Sequence, residues 1–183
     1  MRSVGAARQF GRRSAAAGLA LIAAMALTSG IATAEPAAPA PVTGPMLFTL
    51  TSMPNGWLIG RTDLRPLLEV QADGRAVKRP DGADPNRKAD TPAKEVTGSI
   101  PRDVLTAAIA ETQALAPVDL GMPTVSDQGS LIIDYTPQQA DQDVHLIAYA
   151  PEFSDGLDAD QQANRGRFAT LYKKLLDAFV ADR

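Results

Sequence analysis

The chain has 183 residues, with 18 basic and 21 acidic side chains and a formal net charge of −3 at neutral pH. It contains no cysteine, which excludes disulfide bridges, a lipid-modified cysteine and thiolate metal sites. Its acidic balance provides no electrostatic attraction for nucleic acid or for anionic lipid.

The first 34 residues have the composition of a secretory signal peptide. The segment MRSVGAARQFGRRS carries four arginines and no acid, and it is followed by the apolar run AAAGLALIAAMAL and an A-x-A sequence that ends at Ala34. This order predicts a signal peptide, residues 1–34, that is cleaved after Ala34. An uncleaved membrane anchor is the alternative, although the apolar run is short for a span. The Arg12-Arg13 pair leaves a twin-arginine signal open.

Cleavage would remove four basic residues and no acidic one, which leaves 14 basic against 21 acidic side chains and a formal charge of −7. We therefore expect a secreted protein, or one of a periplasm-like cell-envelope space, with no nucleic-acid partner and no stable membrane span. Residues 35–45, EPAAPAPVTGP, are rich in Pro and Ala, which predicts an extended linker. Residues 46–183 are long enough for a single domain with one core.

The domain should begin with a strand, because MLFTLTS alternates between apolar and polar residues from Met46 onward. A turn and a short strand around Trp57 follow. We expect Trp57 in the core, and the alternative is an exposed anchor for a partner.

A β-hairpin is predicted in RPLLEVQADGRAVKR. Asp73-Gly74 suits a two-residue type I′ turn, because both positions tolerate positive φ. This register would place Val70 opposite Val77. The next segment, residues 79–94, has three prolines and no apolar residue larger than alanine, which predicts an exposed, mobile loop.

A strand at EVTGSI should lead into an amphipathic helix. Apolar residues recur at three- and four-residue spacing from Val104 to Leu115, with Pro101 in the first turn, Ser99 as the N-cap and Pro117 after the end. SLIIDYT and DVHLIAYA predict two further strands. The second of these should be central in the sheet, because both of its faces are fairly apolar.

The stretch FSDGLDADQQANRGRF, residues 153–168, predicts the start of a closing helix. Asp158 is the expected N-cap and Gln161 completes a capping box, while apolar residues recur at helical spacing over residues 168–180. A calcium loop counted from Asp155 would need a glycine at its sixth position and a glutamate at its twelfth, and it has neither. Gly166 is only partly explained: it either admits a close neighbouring backbone or is tolerated near the first turns of the helix.

The residues that common catalytic and metal sites need are missing. His145 is the only histidine, and we expect it partly buried or at the surface rather than acting as a general base. Zinc would need further nitrogen or sulfur ligands, and no nucleophile elbow, S-x-x-K pair or phosphate-binding glycine loop occurs. We predict no catalytic, cofactor-binding or metal-binding residue and no cofactor. Carboxylates that only folding brings together leave a small hydrolase open.

Four segments together resemble a group of small exported proteins from actinobacteria. They are LLEVQADGRAV, GSIPRDVLTAAIAETQAL, DLGMPTVSDQGSLIIDY and HLIAYAPEFSDGLDADQQANRGRF, within residues 64–180. The shared features are a strand pair turning at Asp-Gly, a helix, a D-x-G-x-P-x-x-x-D stretch, a two-strand unit and a closing helix opened by G-L-x-x-x-Q. Many of those proteins have an acylated or domain cysteine, which this chain lacks. The resemblance implies export and a fold, and no functional residue.

The predicted fold is α+β, an antiparallel sheet of about five strands with two helices packed on one face. The leading functional hypothesis is an exported cell-envelope or secreted protein with a non-enzymatic binding or accessory role, its partner an unknown protein or small ligand of the envelope. The alternatives are a small carboxylate-dependent hydrolase and an inhibitor that presents residues 79–94 as its loop.

Overall fold

The computed structural model of the protein describes residues 44–56 and 62–183. The predicted signal peptide, most of the linker and Trp57 fall outside the described residues. Within them the chain forms the following elements in order: β1 (Met46–Met53), β2 (Leu68–Gln71), β3 (Arg75–Lys78), β4 (Val96–Ser99), α1 (Arg102–Leu115), β5 (Ser130–Tyr135), β6 (Val144–Tyr149), α2 (Ala159–Asp177) and β7 (Val180–Ala181). A short 3-10 turn, Ala140–Gln142, precedes β6.

All strands of the described chain lie in one antiparallel sheet, in the order β6-β5-β1-β2-β3-β4-β7. The predicted α+β fold with an antiparallel sheet and two helices is confirmed. The predicted count of about five strands is wrong, since the sheet has seven. One added strand, β7, has two residues, which is too short to produce a recognisable alternation in the sequence.

One face of the sheet carries the core. Apolar side chains of this face pack with those of both helices into a single buried cluster, which includes Phe48, Leu50, Leu68, Val70, Ile133, Leu146, Leu105, Leu115, Phe168, Leu171 and Leu175. Side chains on the opposite face, which we call the open face, are half-buried or exposed on the three strands β1, β5 and β6; they include Thr49, Thr51, Asp134, His145 and Ile147. The helices therefore cover one side of the sheet.

The hairpin of β2 and β3 differs from the predicted one by one residue in register. Val70 pairs with Ala76 rather than with Val77, and residues 72–74 form the loop. Gly74 has a positive φ of 92°, while Asp73 is not among the described residues with positive φ. A type I′ turn needs positive φ at both central positions, whereas a three-residue loop needs it only at the glycine. The two-residue turn was therefore a wrong prediction.

β6 lies at an edge of the sheet, so its predicted central position is wrong. Leu146 and Ala148 are buried in the core, but His145 and Ile147 point to the open face and are exposed. Only one face of β6 is therefore buried. The apolar character of its other face comes from Ile147, which is exposed to solvent.

Helix α1 begins differently from the prediction and ends as predicted. Pro101 is the N-cap, without a side-chain cap hydrogen bond, and its carbonyl accepts the N–H of Leu105. Ser99, the predicted cap, instead ends β4, where it pairs with Arg75. The helix stops at Leu115, two residues before Pro117.

Helix α2 has the predicted capping box. The Asp158 carboxylate accepts the Gln161 N–H at 2.8 Å, and the Gln161 side chain accepts the Asp158 N–H at 3.1 Å. The helix ends at Asp177, so the predicted continuation to residue 180 is wrong. Lys78 of β3 donates to the Leu176 carbonyl at 2.9 Å, which satisfies an acceptor at the helix end. Neither helix is long and apolar enough to cross a membrane, among the residues the structure describes.

Candidate functional site

The single histidine lies on the open face. His145 of β6 is directly opposite Asp134 of β5, and its Nδ1 is hydrogen-bonded to the Asp134 carboxylate. The imidazole is largely exposed. The prediction of a surface or partly buried histidine is confirmed.

The acidic cluster before α2 has structural roles. Asp158 caps the helix, and Asp160 lies in its first turn, where a negative charge meets the positive end of the helix dipole. Asp155 accepts the Thr124 N–H through its backbone carbonyl. Over residues 44–56 and 62–183, no group of three or more His, Cys, Asp or Glu side chains could hold a metal ion.

Residues 79–94 are less exposed than predicted, because two of their arginines are buried. Arg79 forms ion pairs with Glu69 at 2.9 Å and with Glu95 at 2.8 Å. Arg87 pairs with Asp63 at 2.9 Å, and it also donates to backbone carbonyls of its own segment. Hydrogen bonds of Arg87 therefore stabilise the segment internally, and the ion pair of Arg79 with Glu69 attaches it to β2.

A pocket of about 510 Å³ opens beside these arginines. Its charged lining is balanced: Arg65, Arg79 and Arg87 face Asp63, Asp90 and Glu95. Because Arg79 and Arg87 are engaged with carboxylates and carbonyls of the chain itself, the pocket offers an anion little unused binding capacity.

Arg165 is the residue of the closing helix that sequence reasoning missed. It is 7% exposed, and its guanidinium donates to the carbonyls of Tyr149 at 2.6 Å and Ala150 at 2.8 Å. It also donates to the carbonyl of Leu120 at 3.2 Å. Burial lowers the pKa of Arg165, yet an arginine stays protonated. This side chain ties α2 to the end of β6 and to the segment after α1, an arrangement we call the arginine clamp.

The clamp holds an unusual backbone conformation. Ala150, directly after β6, has a φ of 47°, in the left-handed region that residues other than glycine rarely adopt. Its carbonyl is one of the acceptors of Arg165. Beside the clamp, Asp119 accepts the Gly121 N–H at 2.7 Å and the Gln161 side chain at 2.8 Å, and these hydrogen bonds lower the pKa of the Asp119 carboxyl. Arg165 and Asp119 together connect the first turns of α2 to the segment after α1, and Arg165 also connects α2 to the end of β6.

A groove of about 660 Å³ lies between α1 and α2. We call it the helix groove, and its lining residues are Ala107, Ala108, Glu111, Ala163, Gly166, Arg167, Thr170, Leu171 and Lys174. The two helices run antiparallel, since Asp119 after α1 contacts Gln161 at the start of α2. Arg167 crosses the groove to pair with Glu111 at 2.9 Å.

Gly166, which the sequence explained only in part, lies in this groove. A Cβ built on Gly166 would meet no heavy atom within 4 Å outside its own helix backbone and neighbours. Glycine within a helix costs up to about 1 kcal/mol relative to alanine. Packing inside the described chain thus gives no reason for the glycine, and the space above it is open.

Comparison of the chain with known protein families, with curated proteins and with solved structures finds no match.

Proposed function

We propose that this chain is an exported, non-enzymatic binding protein, and that its helix groove holds an α-helix of a protein partner in the cell envelope. The observation that carries the proposal is the groove itself. It lies between two antiparallel helices and is lined by Gly166. Gly166 has no side chain and no close neighbour above it, so a partner could approach the α2 backbone closely there. The alternatives of a small hydrolase and a loop-presenting inhibitor have less support.

The shape of the groove favours a helix over a small molecule. Pockets for small ligands enclose most of the ligand surface, whereas this groove is open to solvent on either side of the Arg167–Glu111 ion pair. Amphipathic helices commonly bind by laying their apolar face into a hydrophobic groove. Ala108 and Leu171 supply an apolar floor.

Charge at the rim favours a partner helix with an acidic residue. Arg167 and Lys174 line the groove against one acid, Glu111. Arg167 is paired with that acid, while Lys174 has no carboxylate partner in the described part of the chain. A protein whose acidic residues outnumber its basic ones thus presents a locally positive rim, which an acid on the partner would complement.

No comparable observation supports an enzyme. None of the Asp and Glu side chains in residues 44–56 and 62–183 is buried, whereas a hydrolase acid needs an environment that raises its pKa. The inhibitor alternative needs a projecting loop, and residues 79–94 fold around Arg87 instead. Both alternatives therefore rank below binding.

Filling the groove tests the proposal. Gly166→Leu should raise or preserve the free energy of unfolding, because the site is open and leucine is a better helix former than glycine. The same change should abolish binding of the partner. The measurement is affinity capture from the cell envelope with the wild type and the variant as baits, with urea unfolding of both proteins.

Two controls separate groove filling from other effects. Gly166→Ala should stabilise the helix by about 0.5–1 kcal/mol and retain binding, because it adds only a methyl group. Ala114→Leu places the same large side chain on an exposed position of α1 outside the groove, and it should leave binding unchanged. A partner captured equally well by Gly166→Leu would show that the helix groove is not the binding surface.

Export is the second part of the proposal. The basic, apolar and A-x-A parts of residues 1–34 stand in the order of a signal peptide, and the resemblance to small exported actinobacterial proteins agrees with it. We expect the mature protein to begin at Glu35. N-terminal sequencing of the protein from its native cells should find this residue; a start at Met1 or Arg2 would favour an uncleaved anchor.

A further inference from the structure

The two edges of the sheet differ in how well they are protected. β7 forms one edge and has two residues. β6 forms the other edge and has six, and all six pair with β5 in an unbroken register from Val144 opposite Tyr135 to Tyr149 opposite Ser130. In the described part of the chain, nothing pairs with the outer side of β6.

β6 lacks the features by which proteins usually block an edge strand. Those features are shortness, proline, a bulge, and charged residues such as lysine. The strand VHLIAY contains no proline, lysine, arginine, aspartate or glutamate, and no register shift interrupts its pairing with β5. Its unpaired backbone groups are therefore open to another strand.

An apolar side chain marks the middle of this edge. Ile147 is 45% exposed on the open face, and the residue opposite it on β5 is the half-buried Ile132. Few large apolar residues of the described chain are this exposed, and of those Ile147 is the one within β6.

We propose that two copies of the protein associate through β6, pairing antiparallel about a two-fold axis at Ile147. In that register Ile147 lies opposite Ile147 of the second copy, so the exposed side chains cover each other. On the core face, Leu146 lies opposite Ala148 of the second copy, which sets a large side chain against a small one. Both copies keep their helices on the same side of one continuous sheet.

The strand is complementary to itself, which favours a second copy over an extended peptide of another protein. A closed two-fold contact also uses each unprotected edge once and leaves only the short β7 edges free. The proposal is independent of the helix groove, which lies on the opposite side of the helical layer from the sheet. Failure of one therefore leaves the other standing.

Sedimentation of the purified protein over a concentration series tests the dimer. We expect a reversible monomer–dimer equilibrium for the wild type. Ile147→Lys should raise the dissociation constant by at least about tenfold, because it sets two like charges against each other at the axis. Val180→Lys is the matched control: Val180 is 58% exposed on the opposite edge strand, and its replacement should leave the dimer intact.

The absence of cysteine allows a test of the register. Directly opposite residues of an antiparallel pair have Cα atoms about 4.5–5.5 Å apart, within the range of a disulfide. Ile147→Cys should therefore form a disulfide-linked dimer under mild oxidation. His145→Cys should not, because its two copies would be about 13 Å apart along the strands, and Val180→Cys should not either.

Three results would overturn the proposal. They are a protein that is monomeric at every concentration, a dimer that is unaffected by Ile147→Lys, and cross-linking of Val180→Cys as efficient as that of Ile147→Cys. Preferred cross-linking of His145→Cys would overturn the register. Circular dichroism of each variant should match the wild type, so that a lost dimer reflects the edge and not unfolding.

Discussion

Replacing Arg165 by methionine should lower the free energy of unfolding by about 3 kcal/mol. Methionine keeps much of the aliphatic volume but removes the donors that serve the carbonyls of Tyr149, Ala150 and Leu120. A buried acceptor that loses its partner costs about 1–3 kcal/mol, and some of these carbonyls will recover a hydrogen bond from water. Ala150, with its strained positive φ, also loses the hydrogen bond from Arg165 to its carbonyl. Urea unfolding of both proteins measures the difference.

The matched control is Arg167→Met, two residues further along the same helix. Arg167 is exposed and its ion pair with Glu111 is partly solvated, and exposed ion pairs contribute little. We expect a change within about 0.5 kcal/mol. Equal effects of the two replacements would mean that the arginine clamp contributes no more to stability than a surface ion pair.

Leu175→Ala should cost roughly 2–5 kcal/mol, the range for removing a buried leucine and leaving a cavity. Leu175 is fully buried in the cluster that joins both helices to the sheet. The neighbouring Leu176 packs against the same cluster but is only partly buried, so Leu176→Ala should cost clearly less. Thermal and urea unfolding of both variants test this, and a neutral Leu175→Ala would contradict the orientation of α2.

Local signals in the sequence predicted the elements well. Periodicity located α1 and the start of α2, and the capping box of Asp158 and Gln161 was read correctly because its residues are close in the chain. Errors arose where tertiary pairing decides the outcome. The hairpin loop lengthened by one residue, and β6 became an edge, because an exposed isoleucine cannot be told from a buried one by its type alone.

The candidate site was not predictable, for a physical reason. The helix groove is formed by residues of two helices that are far apart in sequence, and its floor consists of alanine and leucine, which carry no chemical signature. Arg165 precedes Phe168 by three residues, and this spacing could have placed it on the buried face of α2. An arginine at such a position is normally assumed to be solvated. Gly166 was the one local signal, since it interrupts a helix without an internal cause.

The position of β1 in the sheet affects the order in which the chain can fold. Within the described residues β1 is the first strand, yet it lies between β2 and β5, and it pairs with β5 through residues as distant as Phe48 and Tyr135. β4 likewise pairs with β7, the last element of the chain, through Gly98 and Ala181. The units β2-β3-β4 and β5-β6 are local and should form early, whereas joining them requires the closure of long loops. The sheet cannot be completed until β7 has been synthesised, so a nascent chain that lacks its last few residues leaves β4 as an edge strand.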